Sequence, residues 1–343
     1  MKYLFVLGNG FSLDLLSFLD KKSDIPLTNL FAYGDKLSWP TNDNNAFISF
    51  RNTPNLWILG VRPSGSETKN NQIIENVITC ANAYYLKPKS GRTYGVDDQR
   101  KIYIKAYKEL VVYLKYLFVQ FDKAVSIDSN QIVDWTWSKV FKRLHEDKAV
   151  SNVFFVTFNY DVWLERVLEA LKIEYSVSGF EEENDLKFTI VKPHGSISFM
   201  HKTSLDMAAF DIGYDDGEIV EAEMSDFQLK MDDLDTHCPV IPIIPPAGDS
   251  GRFNVKWAMA QRDNAKKNAK SMVEEDNVVI CGLSYWHVDR KEIDDVLLNL
   301  SEVLELAFIN PTPPETFDAV LTSLFSKYEH YSSVERYFGV DNV

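Results

Sequence analysis

Six short runs of apolar, β-prone residues constrain the fold of this chain more than any other feature of its sequence. Each run is followed at once by residues that favour loops, and each shows little alternation with polar residues. Runs of this kind are typical of parallel strands that are covered on both faces. The predicted strands are residues 3–7, 153–157, 188–191, 240–244, 278–281 and 304–309.

Helical patterns occupy much of the sequence between these runs. Asp161 is placed to cap a helix over residues 161–171, in which apolar residues recur at helical spacing. A second helix opens at Asp289 with the same spacing. Because strands alternate with helices, we expect an α/β fold with a doubly wound, Rossmann-like parallel sheet, formed by residues 1–32 and 151–312.

Three segments depart from this alternation and are interpreted as additions to the core. Residues 33–150 form a large, mainly helical insertion, which is loop-like as far as about Gly95 and contains a long amphipathic helix over 98–123. Residues 206–235 are acidic and contain glycine, which predicts a second insertion exposed at the surface. Residues 313–343 are expected to form a helical tail.

The long helix of the insertion carries more aromatic residues than one buried stripe requires. They are Tyr103, Tyr107, Tyr113, Tyr116, Phe118 and Phe121. One interpretation is that they pack the insertion onto the sheet. The other is that part of this face, including an exposed Tyr116, makes a contact between copies of the chain, since exposed aromatic patches commonly mark interfaces.

The charge and cysteine content exclude several classes of protein. The 343 residues include 50 acidic and 36 basic side chains, a formal net charge of −14, which opposes nonspecific attraction to nucleic acid or anionic membranes. The three cysteines are widely separated and form no C-x-x-C pair, so we expect neither a disulfide framework nor a zinc module. No stretch approaches the roughly 18 apolar residues that cross a bilayer, and the run at 3–7 is too short for a signal sequence. We therefore expect a cytoplasmic protein without bound metal.

The first predicted strand leads directly into the sequence Gly8-Asn9-Gly10-Phe11-Ser12. A glycine pair at this point permits a tight turn and lets phosphate oxygens approach backbone N–H groups at a helix N-terminus. The full dinucleotide fingerprint G-x-G-x-x-G is absent, because Leu13 occupies the position of the third glycine. The turn is therefore compatible with phosphate binding and also with an ordinary connection between a strand and a helix.

Two further loops place polar side chains at strand ends. The sequence Thr157-Phe158-Asn159-Tyr160-Asp161 delivers an amide and a carboxylate to the sheet edge immediately before a helix. Helix capping is the alternative role for both side chains. The sequence Lys192-Pro193-His194-Gly195-Ser196 follows the third predicted strand, and a histidine between proline and glycine belongs to a loop rather than to an apolar core face. A histidine, whose ordinary pKa is about 6.5, can accept a proton at neutral pH.

Taken in order, five short motifs resemble those of the sirtuin-like NAD-consuming proteins, and in particular those of the divergent bacterial branch used in antiphage defence. The motifs are GNGFS near the N-terminus, TFNYD, KPHGS, CGLSYWHVD and the last predicted strand, which leads into Asn310. Their order along nearly the whole chain carries the resemblance. It implies an α/β core that binds NAD at the carboxyl ends of the sheet.

The resemblance also implies roles for individual residues. Asn159 and Asp161 would lie at the nicotinamide ribose, and His194 would be the general base. The residues of the glycine turn that would contact the pyrophosphate region are Gly8, Asn9, Gly10, Phe11 and Ser12. The residues that would hold the adenosine half of NAD are Gly282, Ser284 and Asn310.

The activity implied by the resemblance is an NAD+ hydrolase that takes NAD as its substrate and releases nicotinamide and ADP-ribose, in antiphage defence by NAD depletion. Classical protein-deacetylating sirtuins carry a four-cysteine zinc module and a G-I-P-D-F-R loop, which is echoed here only by residues 24–27. A sensor module that binds NAD or ADP-ribose and an NAD-dependent protein deacylase are the alternatives. Uncontrolled hydrolysis would poison the cell, so we expect a homo-oligomer or a partner such as a ring-forming ATPase.

Overall fold

The computed structural model describes residues 1–86, 101–180, 186–214, 221–245, 255–285 and 290–339. Its strands, in chain order, are β1 (Lys2–Leu7), β2 (Ser38–Trp39), β3 (Asn42–Ala46), β4 (Asn152–Thr157), β5 (Tyr175–Val177), β6 (Phe188–Val191), β7 (Phe199–His201), β8 (Phe227–Leu229), β9 (Asn277–Cys281), β10 (Glu305–Ile309) and β11 (Lys327–Tyr331). Seven of them form one sheet in the order β11-β10-β9-β1-β4-β6-β5, and every pairing in it is parallel. The predicted α/β fold with a parallel sheet is confirmed.

Helices cover both faces of this sheet. In chain order they are α1 (Asn9–Phe18), α2 (Pro54–Ile58), α3 (Glu67–Leu86), α4 (Ile102–Ala124), α5 (Ser129–Ile132), α6 (Thr136–Glu146), α7 (Trp163–Ala170), α8 (Lys256–Lys270), α9 (Arg290–Leu297), α10 (Glu315–Leu324) and α11 (Val334–Phe338). Alternate residues of β1 enter different cores: Phe5 and Leu7 pack with α1, α4, α6 and α7, whereas Leu4 and Val6 pack with α8, α9 and α10. The sheet is therefore doubly wound. No helix among the described residues is both long and apolar enough to span a bilayer.

Aromatic contacts attach α6 to the centre of the sheet. Phe5 of β1 and Phe155 of β4 are register partners whose rings stack with centroids 5.2 Å apart. Trp137 and Phe141 of α6 meet the ring of Phe5 edge-on, at 5.9 and 6.2 Å. Edge-to-face and offset arrangements of this kind are the favourable ones for aromatic rings, so the insertion is joined to the core rather than appended to it.

The predicted strand at 240–244 is wrong. Within this segment Ile243 forms only an isolated bridge, with Gly195, and the segment runs beside the loop that follows β6. The backbone amide of Ile244 donates to the carbonyl of His194, and the carbonyl of Pro242 accepts from Ser196. Pro242 has no N–H group to give to a ladder, which is why the apolar run does not extend the sheet.

The helical tail expected at 313–343 is only partly helical. Between α10 and α11 the chain forms β11, which extends the sheet at its edge beside β10. The sequence Lys-Tyr-Glu-His-Tyr of β11 lacks the apolar character of the other strands, because an edge strand exposes one side to water and charged side chains suit that position. The short strand β5 at the opposite edge was likewise not predicted.

The insertion contains more helix than the sequence indicated. Its first half includes α3, a 20-residue helix that packs against α4, so the expected loop up to about Gly95 is wrong as far as residue 86. The boundary itself, at Gly95, lies outside the described residues, as does the predicted helix start at Asp289. The acidic segment 206–235 is not wholly exposed either, because it buries Phe210 and Leu234 and pairs β8 with β7.

Tyr116 is buried, contrary to the prediction that it is an exposed member of an aromatic face. It is 7% exposed, its ring meets Phe210 edge-on at 5.2 Å, and its hydroxyl donates to the carbonyl of Asp235. Tyr107, Tyr113, Phe118 and Phe121 are buried as well. The acidic segment 206–235 covers the side of α4 for which the sequence alone indicated no partner within the chain. The aromatic residues therefore pack the insertion, and they do not support a contact between copies of the chain.

We expect Tyr116→Ala to lower the free energy of unfolding by about 3–5 kcal/mol, the cost of removing a buried aromatic side chain. Chemical denaturation measures this loss. Tyr103→Ala on the same helix is the control, because Tyr103 is only half-buried and its removal should cost less. A Tyr116→Ala protein of unchanged stability that sediments as a smaller species would contradict this prediction.

Candidate functional site

A cavity of about 640 Å³ lies over the carboxyl ends of the central strands. Strand β1 lies at the centre of the sheet, with β4 on one edge of it and β9 on the other. The strand order therefore reverses at β1, and the cavity opens at that point. Ligands of doubly wound sheets bind at this place, and the volume is within the roughly 300–1,000 Å³ of small-molecule sites. The predicted site residues that line it are Gly8, Asn9, Gly10, Asn159, Asp161, His194, Gly282, Ser284 and Asn310.

Two of the predicted residues lie beneath the cavity. The side chain of Phe11 is 1% exposed and packs against Trp135 and Trp137, with ring centroids 5.4 and 5.5 Å away. The side chain of Phe11 is thus part of the core, so a contact of residue 11 with the pyrophosphate region would have to come from its backbone. Ser12 is also buried, but its hydroxyl contacts two side chains that do line the cavity.

The glycines at the cavity let two loops cross closely. The amide of Gly8 donates to the carbonyl of Cys281, and the amide of Gly10 donates to the carbonyl of Gly282, over 2.9 and 3.1 Å. A Cβ atom on Gly10 would lie 2.4 Å from the Cα atom of Gly282, a distance that no side chain tolerates. Gly282 also has a φ of +66°, which favours glycine. The close approach of the two backbones therefore requires glycine at positions 10 and 282, and the positive φ requires it again at 282.

Asn159 is held with a fixed orientation. Its Nδ2 donates to the carbonyl of Gly8 (3.1 Å) and to Oγ of Ser12 (3.0 Å). A carbonyl oxygen can only accept, so the nitrogen of the amide is the atom that faces Gly8. Both Nδ2 hydrogens are used in this way, and the amide oxygen is what Asn159 presents toward the cavity.

Asp161 forms the floor beside Asn159. Its Oδ2 accepts from Oγ of Ser12 (2.7 Å), and its Oδ1 accepts from the backbone amide of Trp163 (3.2 Å). The second contact satisfies the first backbone amide of α7, but α7 begins at Trp163 and its N-cap position is Val162, so the prediction that Asp161 caps a helix starting at 161 is wrong in its position. Burial raises the pKa of Asp161 to about 6, although nearby Lys192 and the two hydrogen bonds oppose this.

Sequence reasoning did not assign Lys192 and Glu165, which lie under Asp161. Nζ of Lys192 donates to the backbone carbonyl of Asp161 (2.5 Å), to Oε1 of Glu165 (2.6 Å) and to Oγ of Ser196 (3.1 Å). Lys192 and Glu165 are completely buried. The signal for Lys192 was present, because a lysine that directly follows a buried strand needs a partner. Glu165 lies within a helix and shows no such signal.

His194 is positioned by a backbone that only glycine allows. Gly195 has a φ of +80°, and a Cβ atom there would lie 1.7 Å from the carbonyl oxygen of Pro242. The imidazole of His194 lies between the rings of Phe158 and Tyr160, at 5.1 and 6.4 Å, and is 1% exposed. The predicted loop histidine is therefore a floor residue of the cavity rather than a solvent-exposed one.

The Nε2 atom of His194 contacts a carboxylate that the sequence did not reveal. It lies 2.5 Å from Oε2 of Glu292 on α9, and Oε1 of Glu292 accepts from Nε of Arg262 on α8, also at 2.5 Å. Glu292 and Arg262 both lie among other charged residues, in helices whose sequences are typical of the protein surface. No local motif marks them, because their role arises only when α8 and α9 pack behind the sheet.

The far end of the cavity is polar. The side chain of Asn310 donates to the carbonyl of Leu283 (3.3 Å) and accepts from the amide of Thr312 (3.0 Å), so it ties the loop after β9 to the one after β10. Ser284 is exposed there. Asp14 and Glu335 also line the cavity, and neither was predicted. Residues 286–289, which complete the CGLSYWHVD motif, lie outside the described residues.

Within the described ranges, no three His, Cys, Asp or Glu side chains lie together as metal ligands would. No protein-family model matches the chain, and a search of curated proteins finds no relative of it. The geometry of the cavity therefore carries the functional argument.

Stability should depend on pH through Asp161. The folded protein binds the Asp161 proton more tightly than the unfolded chain does, because its pKa is about 6 instead of the ordinary 3.8. Stability therefore falls as the pH rises from about 4 to about 6, and the penalty is complete above that. Relative to Asp161→Asn, we expect the wild type to lose about 3 kcal/mol over this range in urea denaturation. A difference that is constant with pH would contradict a raised pKa.

Gly10→Ala should lower the free energy of unfolding by about 1–3 kcal/mol, because the new methyl group collides with the backbone of Gly282. Gly213→Ala is the matched control, since nothing lies within 4 Å of a Cβ atom at that position. Thermal unfolding of both variants measures the difference. Equal melting temperatures for the two would show that the loops do not cross as closely as described.

Proposed function

We propose that the protein is an NAD+ hydrolase, which cleaves the bond between nicotinamide and ribose and releases nicotinamide and ADP-ribose. The observation that carries this proposal is the fixed amide of Asn159. Its oxygen is presented to the cavity beside Asp161, with His194 in the same floor. The order of the five motifs along the chain, which resembles that of sirtuin-like NAD-consuming proteins, supports the same assignment.

The chemistry of this bond suits such a site. Nicotinamide leaves NAD+ as a neutral molecule, because the leaving nitrogen already bears the positive charge, so no acid is required to expel it. The site has to orient the ribose, stabilise an oxocarbenium-like centre and activate a water molecule. A pocket that offers acceptor oxygens and a base, and no obligatory acid, matches these needs.

Each floor residue has a defined part in the proposed reaction. The Oδ1 atom of Asn159 accepts a hydrogen bond from the attacking water or from a ribose hydroxyl. The carboxylate of Asp161, which is ionised above about pH 6, holds Ser12 and through it Asn159 in place. As the water oxygen bonds to C1′ of the ribose, the C1′–N electron pair leaves with nicotinamide, and His194 takes the proton.

NAD is the substrate in this proposal. The glycine turn and the loop after β9 meet over the middle of the cavity, where the pyrophosphate would lie against Gly8, Gly10 and Gly282. The amides of these three glycines already donate to the carbonyls of Cys281, Gly282 and Ile309. Because the chain carries a net charge of −14, binding of the pyrophosphate relies on other local donors of the cavity lining rather than on the long-range field. The adenosine would extend toward Ser284 and Asn310.

The burial of His194 favours a second candidate function. With 1% of its surface exposed, the imidazole has little access to bulk water. A sensor module that binds NAD or ADP-ribose without cleaving it would need no such access. Steady-state release of nicotinamide separates the two functions, and a requirement for an acetylated peptide would instead indicate a deacylase.

The cellular role that fits a hydrolase of this kind is antiphage defence by depletion of NAD in the cytoplasm. Such an enzyme needs restraint until infection, since free hydrolysis would poison the cell that makes it. We propose that control comes from self-assembly or from a partner such as a ring-forming ATPase. Comparing NAD turnover with and without the products of neighbouring genes tests this.

We expect Asn159→Ala and His194→Ala each to lower the release of nicotinamide by ~10²-fold or more, the usual contribution of a positioned base or orienting group. Chromatography of the products of purified protein and NAD measures the rate. Circular dichroism checks that each variant retains its fold.

Two control variants match these substitutions outside the cavity. Asn152→Ala removes an asparagine at the opposite end of β4, and His201→Ala removes a histidine on β7. Both should keep wild-type turnover. Full turnover in folded Asn159→Ala or His194→Ala protein would refute the catalytic assignment, and tight NAD binding without turnover in the wild type would favour the sensor.

A further inference from the structure

Five strand ends beneath the cavity form one row across the sheet. Along this row, the last residue of each strand is the register partner of the next: Thr157, Leu7, Cys281, Ile309 and Tyr331. Neighbouring strands lie ~4.8 Å apart, so the four spacings make a row of about 19 Å. A ligand whose reacting bond lies at Asn159, after β4, therefore extends past β1 toward β9, β10 and β11.

Two carboxylates line the cavity on the side of β1 that is opposite Asn159. Burial and, after it, the charge of Asp14 raise the pKa of the Cys281 thiol, which places Asp14 of α1 near the end of β9. Glu335 lies on α11, shortly after β11. Both side chains thus lie beyond the glycine turn that follows β1, where the second nucleoside of a dinucleotide would bind.

The carboxylate of Asp14 is held from behind by an indole. Nε1 of Trp135 donates to Oδ2 of Asp14 over 2.9 Å, and Trp135 is itself buried against the ring of Phe11. Among the described residues, Trp135 is the one that donates to this carboxylate. A carboxylate has about four acceptor positions, so Asp14, which is exposed where it lines the cavity, has capacity for the hydroxyl groups of a ligand.

Glu335 adds negative charge at the same end of the cavity. Oγ1 of Thr136 donates to Oε1 of Glu335 over 2.5 Å. Burial alone would raise the pKa of Glu335, but hydrogen bonds from Thr136 and Ser333 outweigh it and lower that pKa, so Glu335 is ionised at neutral pH. Burial also raises the pKa of Asp14, and the charge of Glu335 raises it further, because the two carboxylates are close enough to repel each other.

We propose that Asp14 and Glu335 make the site selective for a dinucleotide whose adenosine ribose is unphosphorylated, that is, for NAD+ over NADP+. Asp14 accepts hydrogen bonds from the 2′- and 3′-hydroxyls of this ribose, and Glu335 supplies charge that repels a phosphate at the 2′-position. The inference rests on the proposed binding of NAD in this cavity, and it does not depend on cleavage.

The charge of the two ligands decides the preference. A 2′-phosphate replaces a hydroxyl donor with a group that carries a charge of about −1.5 to −2 at pH 7. Beside Asp14 it would remove a hydrogen bond and bring like charges together, which opposes binding. Lys22 also lines the cavity, and its charge acts on Asp14 in the opposite direction. Among the described side chains at this end, two carboxylates face one ammonium group, so the balance is negative.

Equilibrium binding of ADP-ribose and of ADP-ribose 2′-phosphate tests the proposal without any turnover. In isothermal titration calorimetry, the wild type should bind ADP-ribose at least ~30-fold more tightly. Asp14→Asn and Glu335→Gln each keep the size of the side chain and remove its charge, so each should lower this ratio ~5-fold or more. The double variant should bring the ratio to about one.

Two further measurements separate charge from shape. Lys22→Met removes the opposing positive charge and should raise the preference for ADP-ribose, whereas a steric exclusion of the phosphate would not respond to this change. Raising the ionic strength from about 0.1 to 1 M shortens the Debye length from about 10 to 3 Å. This should lower the preference of the wild type and leave the double variant unchanged.

Asp20→Asn is the matched control for Asp14→Asn. Asp20 follows the end of α1, is exposed, and is not among the described residues that line the cavity. Its φ of +56° is one that asparagine tolerates. The control changes the net charge by the same amount and should leave both affinities as in the wild type. Circular dichroism checks the fold of every variant.

Equal affinities of the wild type for the two ligands, or no binding of ADP-ribose, would overturn the proposal even if the variants fail to fold. A preference that persists in the double variant would assign the selectivity to shape and refute it. Equal losses of both affinities in Asp14→Asn would also refute it, because Asp14 would then contact another part of the ligand.

The release of nicotinamide is measured separately, so the two proposals fail in different ways. If ADP-ribose binds with the expected preference and NAD+ is not cleaved, the hydrolase proposal fails and the selectivity proposal stands. If NAD+ and NADP+ are cleaved with equal kcat/KM, the hydrolase proposal stands and the selectivity proposal is wrong.

Discussion

The loops that follow β1 and β9 cross at Gly10 and Gly282, and the shape of the site depends on this contact. The two backbones are joined by a hydrogen bond and leave no room for a Cβ atom between them. The crossing holds the first turn of α1 above the ends of the central strands and so places Ser12. Ser12 then contacts both Asn159 and Asp161. The contact between the loops after β1 and β9 thus orients Asn159 and Asp161, which belong to neither loop.

Two groups of buried charged side chains lie beneath the cavity. Lys192 and Glu165 support Asp161 from below, and Arg262 and Glu292 support His194 from behind. Pairing and further hydrogen bonds offset the cost of taking these ions out of water, but they do not make such groups cheaper than an apolar core. We interpret these two groups as a consequence of what the site does, although buried charged side chains such as Glu109 and Lys115 also occur away from it.

Elements outside the doubly wound core complete the cavity. Phe118 of α4 and Trp137 of α6 line it from the insertion, and Glu335 of α11 lines it from the C-terminal segment. Trp137 also packs on Phe5 at the centre of the sheet, so the insertion cannot shift without disturbing the core. The insertion therefore has two roles: it forms one wall of the site, and it covers one face of the sheet.

The sequence by itself determined the central strands, the fold class and the loops that carry Asn159, Asp161 and His194. These features are local, since an apolar run of four to six residues followed by glycine, asparagine or proline is informative without knowledge of its neighbours. Only the tertiary structure decided that 240–244 lies beside a loop, that the charged strand β11 closes the sheet edge, that Phe11 and Tyr116 are buried, and that Glu292 reaches His194. Those outcomes depend on which segments come together in space, and residues far apart in the chain leave no periodic or compositional trace of their contact.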